Sequence, residues 1–360
     1  MNPTATLRAA GQSLWLDNIT RDLLTSGTLD RYIGELSVTG LTSNPTIYDR
    51  AIEGSDAYDD EIREGWRSGA SPEDLFFDLA LNDLREAADA FQPVFTRTRG
   101  VDGYVSLEVS PLLAHDTEAT VREAIRLHRR ADRPNLFIKI LGTPAGLMAI
   151  EEATFTGVPV NVTLLFTAEH YLAAAEAYMR GIERRIEAGL DPAVASVASV
   201  FISRWDAAVP TGHPGGPGTS LGLGIGRRIY ASYRGLLASD RWQRLENEGA
   251  RPQRLLFAST GTKDPAASDT RYVTGLAAPH TINTMPEATL LAFADHGTLE
   301  SLLPPDEASA ERSLAAMTGA GVDIDGLGAR LQAEGATAFI ESWKQLLACI
   351  ASKAAAVVPA

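Results

Sequence analysis

Eight short runs of apolar or β-branched residues recur along this chain, and segments with helical spacing separate them. The runs lie at 13–17, 38–44, 104–110, 135–141, 159–165, 196–202, 254–260 and 281–285. Between them, apolar residues recur every three or four positions, most clearly at 20–33, 56–67, 72–91 and 118–130, as in amphipathic helices. Alternating strands and helices predict a parallel sheet with helices outside it. Eight such units favour closure into a (β/α)8 barrel.

The predicted architecture is therefore an α/β fold, a (β/α)8 TIM barrel with extra terminal helices that forms one domain over residues 1–360. The alternative is an open doubly wound sheet. That fold places a glycine-rich nucleotide-binding turn after its first strand, whereas Asp17-Asn18-Ile19-Thr20 follows here. The closed barrel is the better prediction.

Two further segments are distinguished by composition. Residues 210–226 are rich in glycine and proline and lack apolar periodicity, which predicts a surface loop inserted after the sixth strand. The glycines at 222, 224 and 226 do not follow a strand directly, so a nucleotide-binding role is disfavoured. Residues 336–356 predict a C-terminal helix whose apolar stripe, which includes Phe339 and Trp343, either packs on the barrel or also lies over its mouth. Packing alone is the favoured role.

Charge and composition exclude several classes of partner. The net charge of −14 opposes nucleic-acid binding, and no apolar stretch approaches the ~20 residues of a membrane span. Residues 1–12 lack an export-signal pattern, so a cytoplasmic protein is predicted. The single cysteine, Cys349, is predicted to be a buried structural thiol. The histidines are scattered without metal-ligand spacing, so no metal is expected.

Polar side chains converge on one end of the predicted barrel. Side chains alternate between the two faces of a strand, and the apolar set of each run faces the outer helices. The opposite set then points to the barrel axis, and it contains Asp17, Thr42, Asn44, Ser106, Glu108, Ser110, Lys139, Asn161, Thr163, Ser199 and Ser259. Barrel enzymes build their sites at the C-terminal ends of the strands. The convergence therefore predicts an active site.

Lys139 is the candidate nucleophile at this end. It lies in Asn135-Leu136-Phe137-Ile138-Lys139-Ile140-Leu141, and loss of hydration among apolar groups favours the free amine, which can attack a carbonyl. The alternative is a structural lysine paired with a carboxylate. Structural roles are also the alternatives for three other residues of the inward set. Asp17 could cap a helix, Asn44 could be an N-cap before Pro45, and Thr163 could be an ordinary strand residue.

An anion site is predicted beside the amine. The loop 258–265 follows the seventh strand, a usual place for phosphate in barrels of this kind. It contains Ser259 and Lys263, and Arg204 follows the sixth strand with the planar fork that grips phosphate oxygens. The alternative is two surface cations paired with their neighbours Asp206 and Asp264.

Six motifs in this order resemble those of the transaldolase family, specifically its longer bacterial and plant branch, over nearly the whole chain. They are Leu16-Asp17, Leu41-Thr42-Ser43-Asn44-Pro45-Thr46-Ile47, Val105-Ser106-Leu107-Glu108-Val109-Ser110-Pro111, Phe137-Ile138-Lys139-Ile140, Asn161-Val162-Thr163-Leu164-Leu165-Phe166 and Ala258-Ser259-Thr260-Gly261-Thr262-Lys263. The resemblance implies transfer of a dihydroxyacetone unit between sugar phosphates in the non-oxidative pentose phosphate pathway, without a cofactor. The rival functions are an aldolase that releases the three-carbon product to water and a catalytically silent barrel.

The resemblance also implies roles for individual residues. Lys139 would form the Schiff base with the ketose, Asp17 would take the proton from its C4 hydroxyl, and Glu108 would transfer protons through a water held by Thr163. The remaining members are substrate-binding residues: Thr42, Asn44 and Asn161 on the hydroxyl side, Ser199 and Phe201 in the pocket wall, and Arg204, Ser259 and Lys263 at the phosphate. Sugar phosphates are the implied partners, no nucleic acid or membrane partner is expected, and the oligomeric state is left unspecified.

Overall fold

The eight apolar runs fold into eight strands. The computed structural model describes residues 2–209, 221–305 and 307–357, and each run coincides with one strand, although β1 and β7 begin one residue earlier than predicted. The strands are β1 (Gln12–Asp17), β2 (Val38–Thr42), β3 (Val105–Glu108), β4 (Leu136–Leu141), β5 (Val160–Leu165), β6 (Ser196–Phe201), β7 (Gln253–Ala258) and β8 (Thr281–Met285).

All eight strands belong to one parallel sheet with the order β2-β1-β8-β7-β6-β5-β4-β3. The sheet closes between β2 and β3 through a single bridge that pairs Gly40 with Tyr104, and the Leu41 N–H donates to the Tyr104 carbonyl at 3.0 Å. A side chain at position 40 would lie 2.6 Å from the Trp15 ring and 2.7 Å from the Tyr104 carbonyl oxygen. Glycine therefore permits this closure, and the (β/α)8 prediction is confirmed.

Helices cover the outside of the barrel. They are α1 (Pro3–Ala9), α2 (Arg21–Thr25), α3 (Thr28–Glu35), α4 (Pro45–Glu53), α5 (Asp59–Arg67), α6 (Pro72–Arg97), α7 (Thr117–Ala131), α8 (Pro144–Phe155), α9 (Ala168–Glu187), α10 (Ser203–Ala208), α11 (Leu221–Leu237), α12 (Asp240–Asn247), α13 (Arg271–Gly275), α14 (Glu287–His296), α15 (Glu307–Gly319) and α16 (Ile324–Val357). The segment predicted at 20–33 is two helices, because Gly27 adopts a left-handed φ of 77° between them.

Several helices begin where a proline follows a capping residue. Asn44, Ser71 and Thr143 each accept a hydrogen bond from a backbone N–H of the first turn, and proline follows each of them. Proline suits the first helical position because its missing N–H would have no intrahelical partner there. The caps at Asn44 and Thr143 thus end the βα loops that follow β2 and β4 and fix where those loops turn away from the barrel mouth.

The predicted loop insertion at 210–226 is partly wrong. Residues 221–226 form the buried first turns of α11, and 210–220 lie outside the described residues. The glycines there serve close packing: a side chain at Gly222 would meet the Ile202 carbonyl oxygen at 2.8 Å, and one at Gly226 would meet Leu276 at 2.6 Å. Glycine lowers helix propensity, but here tertiary packing against Ile202 and Leu276, which follow β6 and α13, outweighs it.

The C-terminal helix is longer than the sequence predicts, since α16 begins at Ile324 and continues through 336–356. It packs against α4, α5 and α6, and its Trp343 lies edge-on to Phe76 with ring centroids 4.9 Å apart. Cys349 on this helix is half-buried instead of buried. Across the described part of the chain, every helix is too short or too polar to span a bilayer.

Candidate active site

A cavity of about 350 Å³ opens at the C-terminal ends of the strands. Ten of the twelve predicted site residues line it, namely Asp17, Thr42, Asn44, Lys139, Thr163, Ser199, Phe201, Arg204, Ser259 and Lys263. The other two, Glu108 and Asn161, are buried and hydrogen-bond to members of the lining. These twelve residues therefore lie together at the barrel mouth, and the roles assigned to them stay predictions.

Lys139 lies on the floor of the cavity. Its neighbours on β4, Ile138 and Ile140, face the outer helices and are buried, so the lysine points inward and is only 6% exposed. The Nζ atom donates to the Ser43 carbonyl oxygen at 2.9 Å and lies 3.4 Å from Glu108 Oε2. The amine is thus held by one short bond and one long contact with a carboxylate.

Glu108 is brought to the lysine by strand register, because Glu108 on β3 pairs directly with Lys139 on β4. Burial raises the pKa of Glu108 to about 7, and the positive charge of Lys139 opposes that rise. Among the residues that the structure describes, its second oxygen, Oε1, has no hydrogen-bond partner, and the buried hydroxyl of Thr163 has none either. A carboxyl group with a pKa near 7 can donate and accept protons at neutral pH.

Asp17 provides a second carboxylate, half-buried, at the end of β1. Its Oδ1 accepts from the Thr42 hydroxyl at 2.8 Å, and that hydroxyl also contacts the Thr284 hydroxyl at 2.8 Å. Burial raises the pKa of Asp17, while Lys139 and the Thr42 hydrogen bond lower it by smaller amounts. Helix α2 is capped by Thr20, so the alternative that Asp17 serves as a helix cap is wrong.

The β5 residues are held by β6 and by a backbone irregularity. Asn161 accepts from the Ser199 hydroxyl at 2.7 Å and donates to the Ser106 hydroxyl at 3.1 Å. The register with β6 shifts after Val162, and Leu164 has a left-handed φ of 65°, which is strained for a branched residue. Bulges of this kind redirect side chains next to active sites, and this one includes Thr163.

Asn44 is both the N-cap of α4 and a residue of the cavity wall. Its Oδ1 accepts from the Ile47 N–H at 3.1 Å and caps α4, while the residue lines the cavity. The cap leaves the Asn44 amide nitrogen available to a ligand in the cavity.

Cations line the side of the cavity formed by β6 and β7. Arg204 stacks on the Phe201 ring at 5.0 Å, and burial lowers the pKa of its guanidinium. The predicted carboxylate neighbours are turned elsewhere: Asp206 accepts from the Tyr272 hydroxyl at 2.6 Å, and Asp264 accepts from the Ala266 N–H at 2.9 Å. The interpretation of Arg204 and Lys263 as cations paired with these neighbours is therefore wrong.

Ser259 reaches the cavity through an unusual backbone conformation. Alternation is the wrong basis for the predicted inward position of Ser259: Ala258, the last residue of β7, itself lines the cavity, so regular alternation would turn Ser259 away. Ser259 instead has a left-handed φ of 55°, and its hydroxyl lies 2.9 Å from that of Ser203.

Comparison with known proteins identifies the family to which this chain belongs. Residues 14–350 match the family model described as transaldolase/fructose-6-phosphate aldolase. The chain belongs to the transaldolase family. Its relatives include transaldolases from Frankia alni, with 45% identity over 98% of this chain and 97% of the relative, and from Acidothermus cellulolyticus, with 45% identity over 97% and 96%. A third, from Thermobifida fusca, is 44% identical over 99% of both chains. Transaldolases are transferases, and this member is accordingly an enzyme.

In this transaldolase-family chain the cavity contains residues that were not predicted as site residues: Thr46, Arg50, Thr284, Pro286, Phe339 and Ser342. Alternation would have found Thr284, which pairs in register with the inward Trp15 of β1. Phe339 belongs to the apolar stripe for which a position over the mouth is the less favoured alternative. No pattern indicates the others, because tertiary packing alone brings them to the mouth. Ser110, predicted to point inward, lines a different cavity with Val109 and Ile140, because β3 ends at Glu108.

Helix α16 forms part of the site, so the preference for a packing role alone is wrong. Phe339 and Ser342 line the cavity, and the Thr46 hydroxyl donates to Ser342 Oγ at 3.0 Å. The Gln332 side chain donates to the carbonyl oxygens of Gly142 at 3.2 Å and Leu164 at 3.1 Å. These bonds tie the helix to the ends of β4 and β5.

Proposed function

We propose that this chain transfers a dihydroxyacetone unit from a ketose phosphate, sedoheptulose 7-phosphate or fructose 6-phosphate, to an aldose phosphate, glyceraldehyde 3-phosphate or erythrose 4-phosphate. The reaction proceeds through a Schiff base on Lys139 without a cofactor, as a step of the non-oxidative pentose phosphate pathway in the cytoplasm. The observation that carries the proposal is the position of the Lys139 amine, which lies on the cavity floor 3.4 Å from Glu108 and close enough to Asp17 to lower the pKa of that carboxyl.

The amine attacks the ketose carbonyl, and the resulting carbinolamine loses water to give an iminium. Asp17 then takes the proton of the C4 hydroxyl. The C3–C4 bond breaks, its electron pair moves to the iminium to give an enamine, and the aldose phosphate leaves. The raised pKa of Asp17 makes it a stronger base than an ordinary aspartate, which suits this role. The enamine adds to the acceptor aldehyde by the reverse steps.

Glu108 serves the two steps that lose and regain water. Its protonated form donates to the departing hydroxyl of the carbinolamine, and its ionised form activates water when the iminium is hydrolysed. The pKa of about 7 keeps both forms populated at neutral pH. The unpartnered Glu108 Oε1 and Thr163 hydroxyl supply the two polar contacts with which a bridging water would be held.

The amide and hydroxyl groups hold the enamine while it waits for the acceptor. The amide nitrogens of Asn44 and Asn161 donate to its hydroxyls, and the hydrogen bonds of Asn161 to Ser106 and Ser199 keep that amide fixed. Thr42 orients Asp17 through the 2.8 Å bond. Fixing these groups before the reaction lowers the entropy that must be lost in the transition state.

The phosphate binds beside Arg204, Ser259 and Lys263. Within the described residues Arg204 has no carboxylate partner, and burial alone shifts its pKa. A half-buried guanidinium without a counter-ion is stabilised by an anionic ligand, and its planar fork suits phosphate oxygens. Ser199 and Phe201 line the wall between this cation and the amine.

Borohydride trapping tests the proposal. The protein is reduced in the presence of fructose 6-phosphate and its peptides are weighed, with Lys139→Ala as the matched variant. We expect a dihydroxyacetone adduct on the Lys139 peptide alone, with Lys263, Lys344 and Lys353 unmodified as internal controls. An unmodified Lys139 in folded protein would refute the mechanism. A rate that depends on an acceptor aldehyde then separates transfer from release to water.

A further inference from the structure

Thr284 lines the active-site cavity but has no role in the mechanism proposed above. It lies on β8, one residue before the strand ends at Met285, and it is only 2% exposed. Its hydroxyl oxygen is 2.8 Å from the hydroxyl oxygen of Thr42, which in turn donates to Asp17 Oδ1 at 2.8 Å. Thr284 is therefore connected to the proposed base through one intervening hydroxyl group.

Strand order brings the two threonines together. Strand β1 lies between β2 and β8 in the sheet. Asp17 on β1 pairs in register with Thr42 on β2, and Trp15, two residues earlier on β1, pairs with Thr284 on β8. The threonines therefore belong to the two strands that flank β1, and their hydroxyl groups meet across it on the inward side of the barrel.

The backbone that carries the Thr284 side chain is anchored to the loop after β7. The hydroxyl of Thr260, a fully buried residue, donates to the Thr284 carbonyl oxygen at 2.9 Å and to Asn283 Oδ1 at 2.8 Å. Within the described residues, Thr42 is the only hydrogen-bond partner of the Thr284 hydroxyl. A fixed backbone thus presents this hydroxyl to Thr42.

The number of hydroxyl hydrogens fixes the direction of these bonds. A threonine hydroxyl has one hydrogen, and Asp17 can only accept while it is ionised and ready to take a proton. The Thr42 hydrogen is used in the bond to Asp17, so the hydrogen in the contact between Thr42 and Thr284 comes from Thr284. The two bonds form a directed chain from Thr284 through Thr42 to the carboxylate, in which each bond strengthens the other.

We propose that Thr284 is a positioning residue for the transfer of the C4 hydroxyl proton to Asp17. By donating to Thr42, it keeps the Thr42 hydrogen on Asp17 Oδ1, which holds the carboxylate in one orientation and leaves Oδ2 to take the proton. Without the Thr284 hydroxyl, the buried Thr42 oxygen loses its donor, and the Thr42 side chain is free to rotate away from Asp17. The inference rests on the proposed function, because it concerns one step of that reaction.

Borohydride quenching at short times separates the capture of the donor from the step that Thr284 serves. The adduct on Lys139 contains all of fructose 6-phosphate before the C3–C4 bond breaks and only the dihydroxyacetone unit afterwards, so peptide masses count both species. Their sum measures capture, and their ratio measures cleavage. In Thr284→Val, which keeps the side-chain shape, we expect unchanged capture and cleavage that is about three- to tenfold slower, the effect of one hydrogen bond. Thr284→Ser restores the hydroxyl and should restore most of the cleavage rate.

Thr281→Val is the matched control on the same strand. Its hydroxyl donates to the Ala278 carbonyl oxygen at 2.7 Å and accepts from Gln12 at 2.8 Å at the other end of β8, so the variant weakens the strand without touching the chain to Asp17. We expect it to cleave at the wild-type rate. Thr284→Ala removes the same hydroxyl as Thr284→Val and should slow cleavage to a similar extent.

Three results would overturn the positioning role: wild-type cleavage in both Thr284→Val and Thr284→Ala, equal slowing in Thr281→Val, or no recovery in Thr284→Ser. Each of these leaves the Schiff-base mechanism standing, because the wild type still forms both adducts. Absence of either adduct on Lys139 in the wild type would instead refute the proposed function, and the inference with it.

Discussion

Replacement of Arg204 by alanine is the sharpest test of the phosphate site. The guanidinium stacks on Phe201 at 5.0 Å and has no carboxylate partner among the described residues, so the variant loses little in folding. The lost cation–π contact costs about 0.5–1 kcal/mol of unfolding free energy. A bidentate, partly buried contact between arginine and phosphate is worth about 3 kcal/mol. That corresponds to about 150-fold in kcat/KM for a phosphorylated substrate.

The rate of borohydride-trapped adduct formation measures this loss without an acceptor sugar. Fructose 6-phosphate and fructose are compared as donors in the wild type and in Arg204→Ala. We expect the preference for the phosphorylated donor to fall about 150-fold, with the rate for fructose nearly unchanged. Arg50→Ala is the matched control, because Arg50 lines the same cavity but is exposed to solvent, where its charge is screened. An unchanged preference in Arg204→Ala would refute the assignment of this arginine.

Three further predictions concern the proton-transfer group, the C-terminal helix and barrel closure. Since protonated Glu108 is the form that donates and burial raises its pKa to about 7, carbinolamine dehydration should slow as pH rises through about 7. Rapid-quench trapping should show no such dependence in Glu108→Gln, which should also be at least about 100-fold slower. Gln332→Met removes both bonds to the Gly142 and Leu164 carbonyls and should lower the unfolding free energy in urea by about 1–3 kcal/mol; no change would argue against this anchoring. Gly40→Ala, whose new carbon would lie 2.6 Å from Trp15, should destabilise by about 1–3 kcal/mol or more, whereas Gly34→Ala on α3, with nothing within 4 Å, should stabilise slightly.

Asp17 and Glu108, the two carboxylates of the site, share a pKa raised by burial but differ in their hydrogen-bond partners. Burial raises the pKa of both Asp17 and Glu108. Lys139 lowers the pKa of both groups by smaller amounts, and Asp17 also accepts from Thr42 at 2.8 Å, whereas one oxygen of Glu108 has no partner among the described residues. An aspartate whose raised pKa makes it a stronger base and a glutamate with a pKa of about 7 match the roles of base and proton carrier that the proposed reaction needs.

Local sequence determined the parts of this fold that depend on period and on chain direction. Alternation along 105–109 and 136–140 was enough to orient Glu108 and Lys139, because parallel strands present their C-terminal ends at the same end of a barrel. Capping chemistry likewise marked the start of α4 at Asn44 and Pro45. These features depend only on residues that are close together in the sequence, so the sequence alone predicts them.

The tertiary structure decided the rest, because the deciding contacts join residues far apart in sequence. Ser259 reaches the cavity only through its left-handed backbone, and Arg50 and Phe339 line it only because α4 and α16 pack over the mouth. The glycines at 222 and 226 predicted a loop, yet they lie in a helix, and glycine is needed there because Ile202 and Leu276 approach too closely for any side chain. Periodicity carries no information about such approaches, since the atoms involved meet only after the barrel has closed.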